Sequence, residues 1–130
     1  MKAATKVRVA RPTDNLDEVV TFYRDGLGFE VLGSFEDHDG FDGVMLGLPD
    51  EQVHFEFTKQ RGHSVGRAPT RDHLIAFYLP ERDSWQEAIT RLRERGYEPV
   101  PSYNPYWDQQ GLTFEDPDGY RVVLQNAQWR

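Results

Sequence analysis

The triplets Gly28-Phe29-Glu30 and Gly96-Tyr97-Glu98 stand 68 residues apart, and Gly43 and Gly111 repeat that offset. Around both copies the hydropathy pattern runs in one order: strand, helix, strand, strand, strand. In the last strand the offset becomes 67, pairing Phe55 with Val122 and Glu56 with Val123. Side chains alternate between the faces of a strand, so only this shift keeps inward positions inward. Each copy has about 55 residues, too few to bury an ample core alone. The 130-residue chain is therefore expected to form one α+β domain, residues 1–130. Module one covers about 6–58, a polar, glycine-containing connection covers 59–71, and module two covers about 72–126. The two modules pair either within one chain or across a dimer.

Two segments have helical periodicity. Leu16, Val19, Val20, Tyr23 and Leu27 share one face, with Asp14 placed to cap the start and Gly26 or Gly28 to end it. Trp85, Ala88, Ile89 and Leu92 repeat the spacing, with Ser84 and Glu87 as a capping box and Gly96 as the stop. Eight alternating runs predict strands near 6–11, 28–35, 43–48, 52–58, 72–79, 97–102, 111–116 and 120–126. Turns are expected at Pro49-Asp50 and at Asp116-Pro117-Asp118-Gly119, where proline presets φ and glycine accepts a left-handed backbone.

Fifteen Lys and Arg against 22 Asp and Glu leave a net charge of −7. With no basic block, nucleic acid and anionic membrane are excluded as expected partners. No stretch of about 18 apolar residues is present, and the N-terminus lacks the apolar run of a secretory signal. The default expectation is a cytoplasmic protein. The absence of cysteine removes disulfides, thiol nucleophiles and thiolate metal sites, so a transition metal would depend on His and carboxylates. Gly26-Leu27-Gly28 ends a helix instead of opening one, which is the wrong context for a phosphate loop. The four serines sit in turn or capping contexts with no nucleophile elbow. The acidic run from Glu36 to Gly43 lacks the ligand spacing of a calcium loop and reads as a solvated hairpin loop.

The stretch Asn15-Leu16-Asp17 through Phe22-Tyr23-Arg24-Asp25-Gly26-Leu27-Gly28-Phe29-Glu30-Val31, with the closing Asp116-Pro117-Asp118-Gly119-Tyr120, resembles the vicinal oxygen chelate superfamily. This is the glyoxalase, bleomycin-resistance and dioxygenase group. The likeness covers roughly residues 6 to 126. It implies paired βαβββ modules forming an open, cupped, eight-stranded barrel-like sheet around a cavity, with helices on the outer face. Metal enzymes of the superfamily take one ligand each from the first, fourth, fifth and eighth strands. Those positions correspond here to Arg8, Glu56, His73 and Val123. Two are credible ligands, while arginine stays protonated and valine has no donor.

Alternation puts Val53, Phe55 and Phe57 on one face of the fourth strand and Gln52, His54 and Glu56 on the other. In the eighth, Tyr120, Val122 and Leu124 oppose Arg121, Val123 and Gln125. The apolar sets suit the helix side. The set Arg8, His54, Glu56, His73, Arg121 and Gln125 suits a cavity lining. Glu56 with Arg8 also reads as a buried ion pair that fixes register, and His73 as a satisfied strand histidine. His38 and His63 lie in loops and read as solvated. Tyr103, Tyr106 and Trp107 form a dense aromatic loop that either walls the pocket or packs at a subunit interface. Trp85 belongs to a core stripe, and Trp129 reads as an interface residue.

These features predict a homodimer that binds a small molecule without a metal or other cofactor, in the manner of bleomycin-resistance proteins. The ligand-binding candidates are Arg8, His54, Glu56, His73, Tyr103, Tyr106, Trp107, Arg121 and Val123. The alternative is a lyase or isomerase resembling glyoxalase I. In it Glu56 acts as general base, and Glu56 and His73 hold zinc, nickel or manganese.

Overall fold

One open sheet of four strands and one of three, with few helices, make up a mixed α+β architecture in which neither sheet closes into a barrel. The computed structural model describes residues 1–129, and the chain divides into two units, Met1–Gly66 and Arg67–Arg130.

Unit one holds β1 (Val7–Pro12), α1 (Leu16–Thr21), β2 (Glu30–His38), β3 (Phe41–Gly47) and β4 (Val53–Gln60). Its sheet order is β1-β4-β3-β2, with β1 parallel to β4 and the other pairs antiparallel. The apolar stripe of α1 continues through a wider π-helical turn, Phe22–Gly26. Val19, Val20, Phe22 and Tyr23 are buried, as are Leu46, Phe55 and Phe57 on the strands. Tyr23 packs on Phe57 with centroids 4.7 Å apart, and Phe29 stacks on Phe55 at 5.9 Å. The alternation read from β4 is thus the observed one.

Asp14 does not cap α1. Asn15 stands at the N-cap, and its side chain makes no capping hydrogen bond. Asp14 instead accepts from the backbone N–H groups of Val65 and Gly66 and from the Ser64 hydroxyl, each at 2.9 Å. Lys59 Nζ lies 3.3 Å from the same carboxylate. These donors satisfy it more fully than one helix N–H would. The acidic run forms a hairpin as expected, with residues 36–39 exposed. β2 and β3 extend through it and meet at Asp39-Gly40, whose φ angles of 52° and 86° match the tight hairpin turn that needs two left-handed residues. Asp42 there receives two hydrogen bonds from the Arg61 guanidinium, at 3.2 and 2.9 Å.

Unit two holds β5 (Leu74–Tyr78), α2 (Arg82–Glu94), a 3-10 turn at Pro105–Asp108, β6 (Gly111–Glu115) and β7 (Arg121–Gln125). The order is β5-β7-β6, with β5 parallel to β7. Ile89 and Leu92 of α2 are buried, and the Trp85 indole N–H donates to the Leu124 carbonyl at 2.8 Å. The capping box does not form. The helix starts at Arg82, and Trp85 N already bonds Glu81 O at 3.0 Å, so Ser84 lies inside the first turn.

The strand expected at 97–102 is reduced to one bridge between Val100 and Thr113. Pro99 and Pro101 remove two of the N–H groups a ladder needs. Val100 N donates to Thr113 O at 2.8 Å, whereas Tyr97 N turns back to the Leu92 carbonyl at 3.0 Å. Among the described residues, seven strands therefore stand where eight were expected. The closing turn forms as predicted. Asp116 Oδ1 accepts from Asp118 N and Tyr120 N at 2.8 and 3.0 Å, and Gly119 has φ 88°. Among the described residues no helix is long and apolar enough to cross a membrane.

Candidate functional site

In unit one the parallel register sets Arg8 opposite His54 and Ala10 opposite Glu56. All four share the sheet face opposite Phe55 and Phe57. Arg8 Nε–H donates to His54 Nε2 at 2.9 Å, and Arg8 Nη1 lies 3.6 Å from Glu56 Oε2. The ion pair is not the buried one expected, because the Arg8 side chain is 49% exposed and that of Glu56 16%. β1 is an edge strand, so one flank of Arg8 meets solvent and the pair contributes at most about 1 kcal/mol. The bond to His54 uses the Nε2 lone pair. A metal at Nε2 would have to displace the guanidinium.

The same face turns apolar toward β2. Met45 stands opposite Glu56, and Phe35 stands opposite Gly43. A Cβ on Gly43 would meet the Phe35 ring at 2.3 Å, and one on Gly47 would meet His54 Cβ at 3.0 Å. These two glycines leave room for the aromatic ring and the imidazole. The face thus pairs a half-exposed cation with an adjoining apolar patch.

In unit two, register aligns Leu74, Arg121 and Glu115, then Ala76, Val123 and Thr113, then Tyr78, Gln125 and Gly111. Arg121 is fully engaged. It donates to Glu115 Oε2 at 3.2 and 2.9 Å and to the Pro101 carbonyl at 2.8 Å, tying down the proline-rich segment. Val123 is completely buried. His73 is exposed just before β5, with its ring stacked on Tyr120 at 5.9 Å. Thr113 Oγ1 and Gln125 Oε1, on the face of Val123, are buried without a hydrogen-bond partner among the described residues.

A cavity of about 510 Å³ in unit two is lined by Tyr78, Tyr106, Gln125 and Trp129 among others. Tyr106 is 56% exposed and meets Trp107 edge-to-face at 5.0 Å. Asn104 Oδ1 accepts from Tyr106 N at 3.0 Å, and the Ser102 hydroxyl donates to Asp108 at 2.7 Å, so the aromatic loop is internally braced. Tyr103 is 64% exposed and Trp107 half-buried. Tyr78 and Trp129 were not singled out as pocket residues. The alternation of β5 places Tyr78 beside Gln125 and could have found it, whereas nothing in the local pattern marks Trp129.

The residues present do not fit a divalent metal. Of the four implied positions, Arg8 carries a positive charge and Val123 carries no donor. Among the described residues no three His, Asp or Glu side chains are grouped to hold an ion.

Two family profiles match, the YycE-like N-terminal domain over residues 7–58 and the YycE-like C-terminal domain over 72–126. The uncharacterized protein YycE of Bacillus subtilis (strain 168) is 44% identical over 124 residues, covering 95% of this chain and 89% of its own. A crystal structure of a B. subtilis YycE protein of unknown function, suggested to be a glyoxalase/fosfomycin resistance protein, superposes with a TM-score of 0.90 at 43% identity. It covers 98% of this chain and 93% of its own. Two more distant structures share the fold alone. Leishmania major glyoxalase I, which is trypanothione-dependent, has TM-score 0.73 and 20% identity, over 96% and 88% of the two chains. TnmS3, an antibiotic binding protein from Streptomyces sp. CB03234, has TM-score 0.66 and 18% identity, over 96% and 97%. The chain belongs to the YycE-like family and has the vicinal oxygen chelate fold.

Proposed function

We propose that this protein binds a small molecule without a metal, on the unit-one face that carries Arg8, His54 and Glu56. One observation carries this reading: Arg8 Nε–H occupies His54 Nε2 at 2.9 Å while the same guanidinium pairs with Glu56. A fixed side-chain cation thereby takes the place that a divalent ion would need, and half of it stays open to an anionic group. Met45 and Phe35 on the adjoining strands suit an apolar body. The ligand class is therefore a small amphiphile with one acidic group. The shared fold of an antibiotic binding protein supports the class of activity.

Phenylacetate, an aryl carboxylate, is a direct probe. Titration should shift the amide resonances of β1 and β4, and Arg8→Gln should weaken binding about tenfold by removing the charge-assisted contact. Unchanged binding by the variant would sink the assignment, as would saturable uptake of stoichiometric zinc, nickel or manganese. The same proposal makes the protein a cytoplasmic homodimer. Val7, Val9 and Val53 lie on one face at the β1 edge and are 40%, 46% and 43% exposed, which supports a covered surface. Light scattering should give twice 15.1 kDa.

A second reading, a lyase resembling glyoxalase I, rests on the half-buried Glu56 beside a guanidinium. Glu56 would take a proton from an α-hydroxy carbonyl substrate, and Arg8 would stabilise the resulting enediolate. Turnover that survives Glu56→Gln would remove Glu56 as the base.

A further inference from the structure

The cavity of unit two differs in chemistry from the unit-one face. Its lining comprises Tyr78, Tyr106, Gln110, Gln125 and Trp129, with Asn126, Ala127 and Gln128 completing it, and none of these side chains is charged. Asn126 is committed to structure, since its amide N–H groups bond the Leu79 and Pro80 carbonyls at 3.0 and 3.2 Å. Gln125 is not. It is only 4% exposed, yet its Oε1 has no hydrogen-bond partner among the described residues.

This carboxamide sits in a built position. A Cβ on Gly111, the cross-strand partner of Gln125, would lie 2.4 Å from Oε1 and 3.1 Å from Cδ. The missing side chain at Gly111 is the space that the carboxamide fills. Burying an amide oxygen unpaired is costly, whereas a ligand that supplies a donor removes the cost. The terminal amide torsion is soft and roughly two-fold, so the group can present oxygen and N–H side by side at the cavity wall. An amide presenting both at once complements another planar amide, which offers the same pair in reverse. The rings of Tyr106 and Trp129, 56% and 73% exposed, supply flat apolar surface next to it.

We infer that this cavity is a binding site for an uncharged planar ligand bearing a carboxamide or lactam, with Gln125 pairing to the amide and Tyr106 and Trp129 contacting the ring. The site lies in the other unit from the proposed acid-binding face and does not depend on that reading. An ionised ligand is disfavoured because none of the described lining residues offsets its charge.

Three probes of one shape test this: benzamide, benzoate and benzamidinium, which are neutral, anionic and cationic. With the full chain, nitrogen-labelled at Gln and Trp side chains, benzamide should shift the Gln125 amide and Trp129 indole resonances. The shift per added ligand should be about tenfold larger than for benzoate. Read at the Trp129 indole, Gln125→Leu should weaken the benzamide response about tenfold, while Gln125→Glu should exchange it for benzamidinium, whose two N–H donors match a carboxylate. Tyr106→Ala, on the exposed wall, should also weaken benzamide and remains informative if a change at buried Gln125 perturbs folding. Benzoate shifting these resonances as strongly as benzamide, an unaltered benzamide response in both Gln125→Leu and Tyr106→Ala, or no benzamide shift at Gln125 and Trp129 would each overturn the assignment. Loss of phenylacetate binding at Arg8 has no bearing on any of these outcomes.

Discussion

Asp14 gathers donors from Lys59, Ser64, Val65 and Gly66, and so closes unit one onto the start of α1. Its carboxyl is held well below the usual range, first by the two backbone N–H bonds and then by Ser64 and Lys59. Because folding lowers this pKa, the contribution is complete above the unfolded carboxyl value, about 3.9, and disappears as pH falls below it. Asp14→Ala should therefore be less stable than the parent at neutral pH, and denaturant titrations should show the gap closing on acidification. Gly111 is the second residue with a defined cost. A methyl there would meet Gln125 Oε1 at 2.4 Å and the Leu124 carbonyl oxygen at 2.7 Å. The backbone oxygen cannot swing away, so Gly111→Ala should lose about 1–3 kcal/mol, read as a lower urea midpoint at unchanged slope.

At the scale of elements, the faces of β4 could be read directly from sequence, because strand alternation is strict and Phe55 and Phe57 mark the buried side, whereas all five residues of β7 are buried. Helix starts were less legible. A cap is decided by competition among donors, and the 63–66 segment outbids the first turn of α1 for Asp14, a contact spanning about 50 residues of chain. The missing strand at 97–102 was legible in principle, since its prolines count against a ladder more than its alternation counts for one. At the site, the Arg8, His54 and Glu56 face followed from alternation. The unpaired Gln125 oxygen did not, because satisfaction of a polar atom depends on packing that one sequence does not display. α2 offers a direct check of how its helix is tied to the sheet. Trp85→Phe keeps an aromatic ring, a smaller one, and deletes the 2.8 Å bond to the Leu124 carbonyl. It should cost about 1 kcal/mol in chemical denaturation.

For the molecule as a whole, the proposed metal independence has a thermodynamic signature. A native-state site occupied at one hundred times its dissociation constant would raise stability by about 2.7 kcal/mol. Zinc, nickel or manganese at such concentrations should leave the thermal midpoint unchanged, and prior treatment with chelator should not lower it. The two units share one topological device with a bearing on time. β1 pairs in parallel with β4, Val7 against Val53, and β5 pairs in parallel with β7, Leu74 against Arg121. In each unit the strand made first is matched to the strand made last. During synthesis β1 must wait, unpaired, until about 46 further residues have been added, a closure slow by comparison with the β3–β4 hairpin. The polar and charged residues of β1, Arg8 and Arg11, then act as more than site or surface chemistry: they keep a waiting edge strand soluble until its partner emerges.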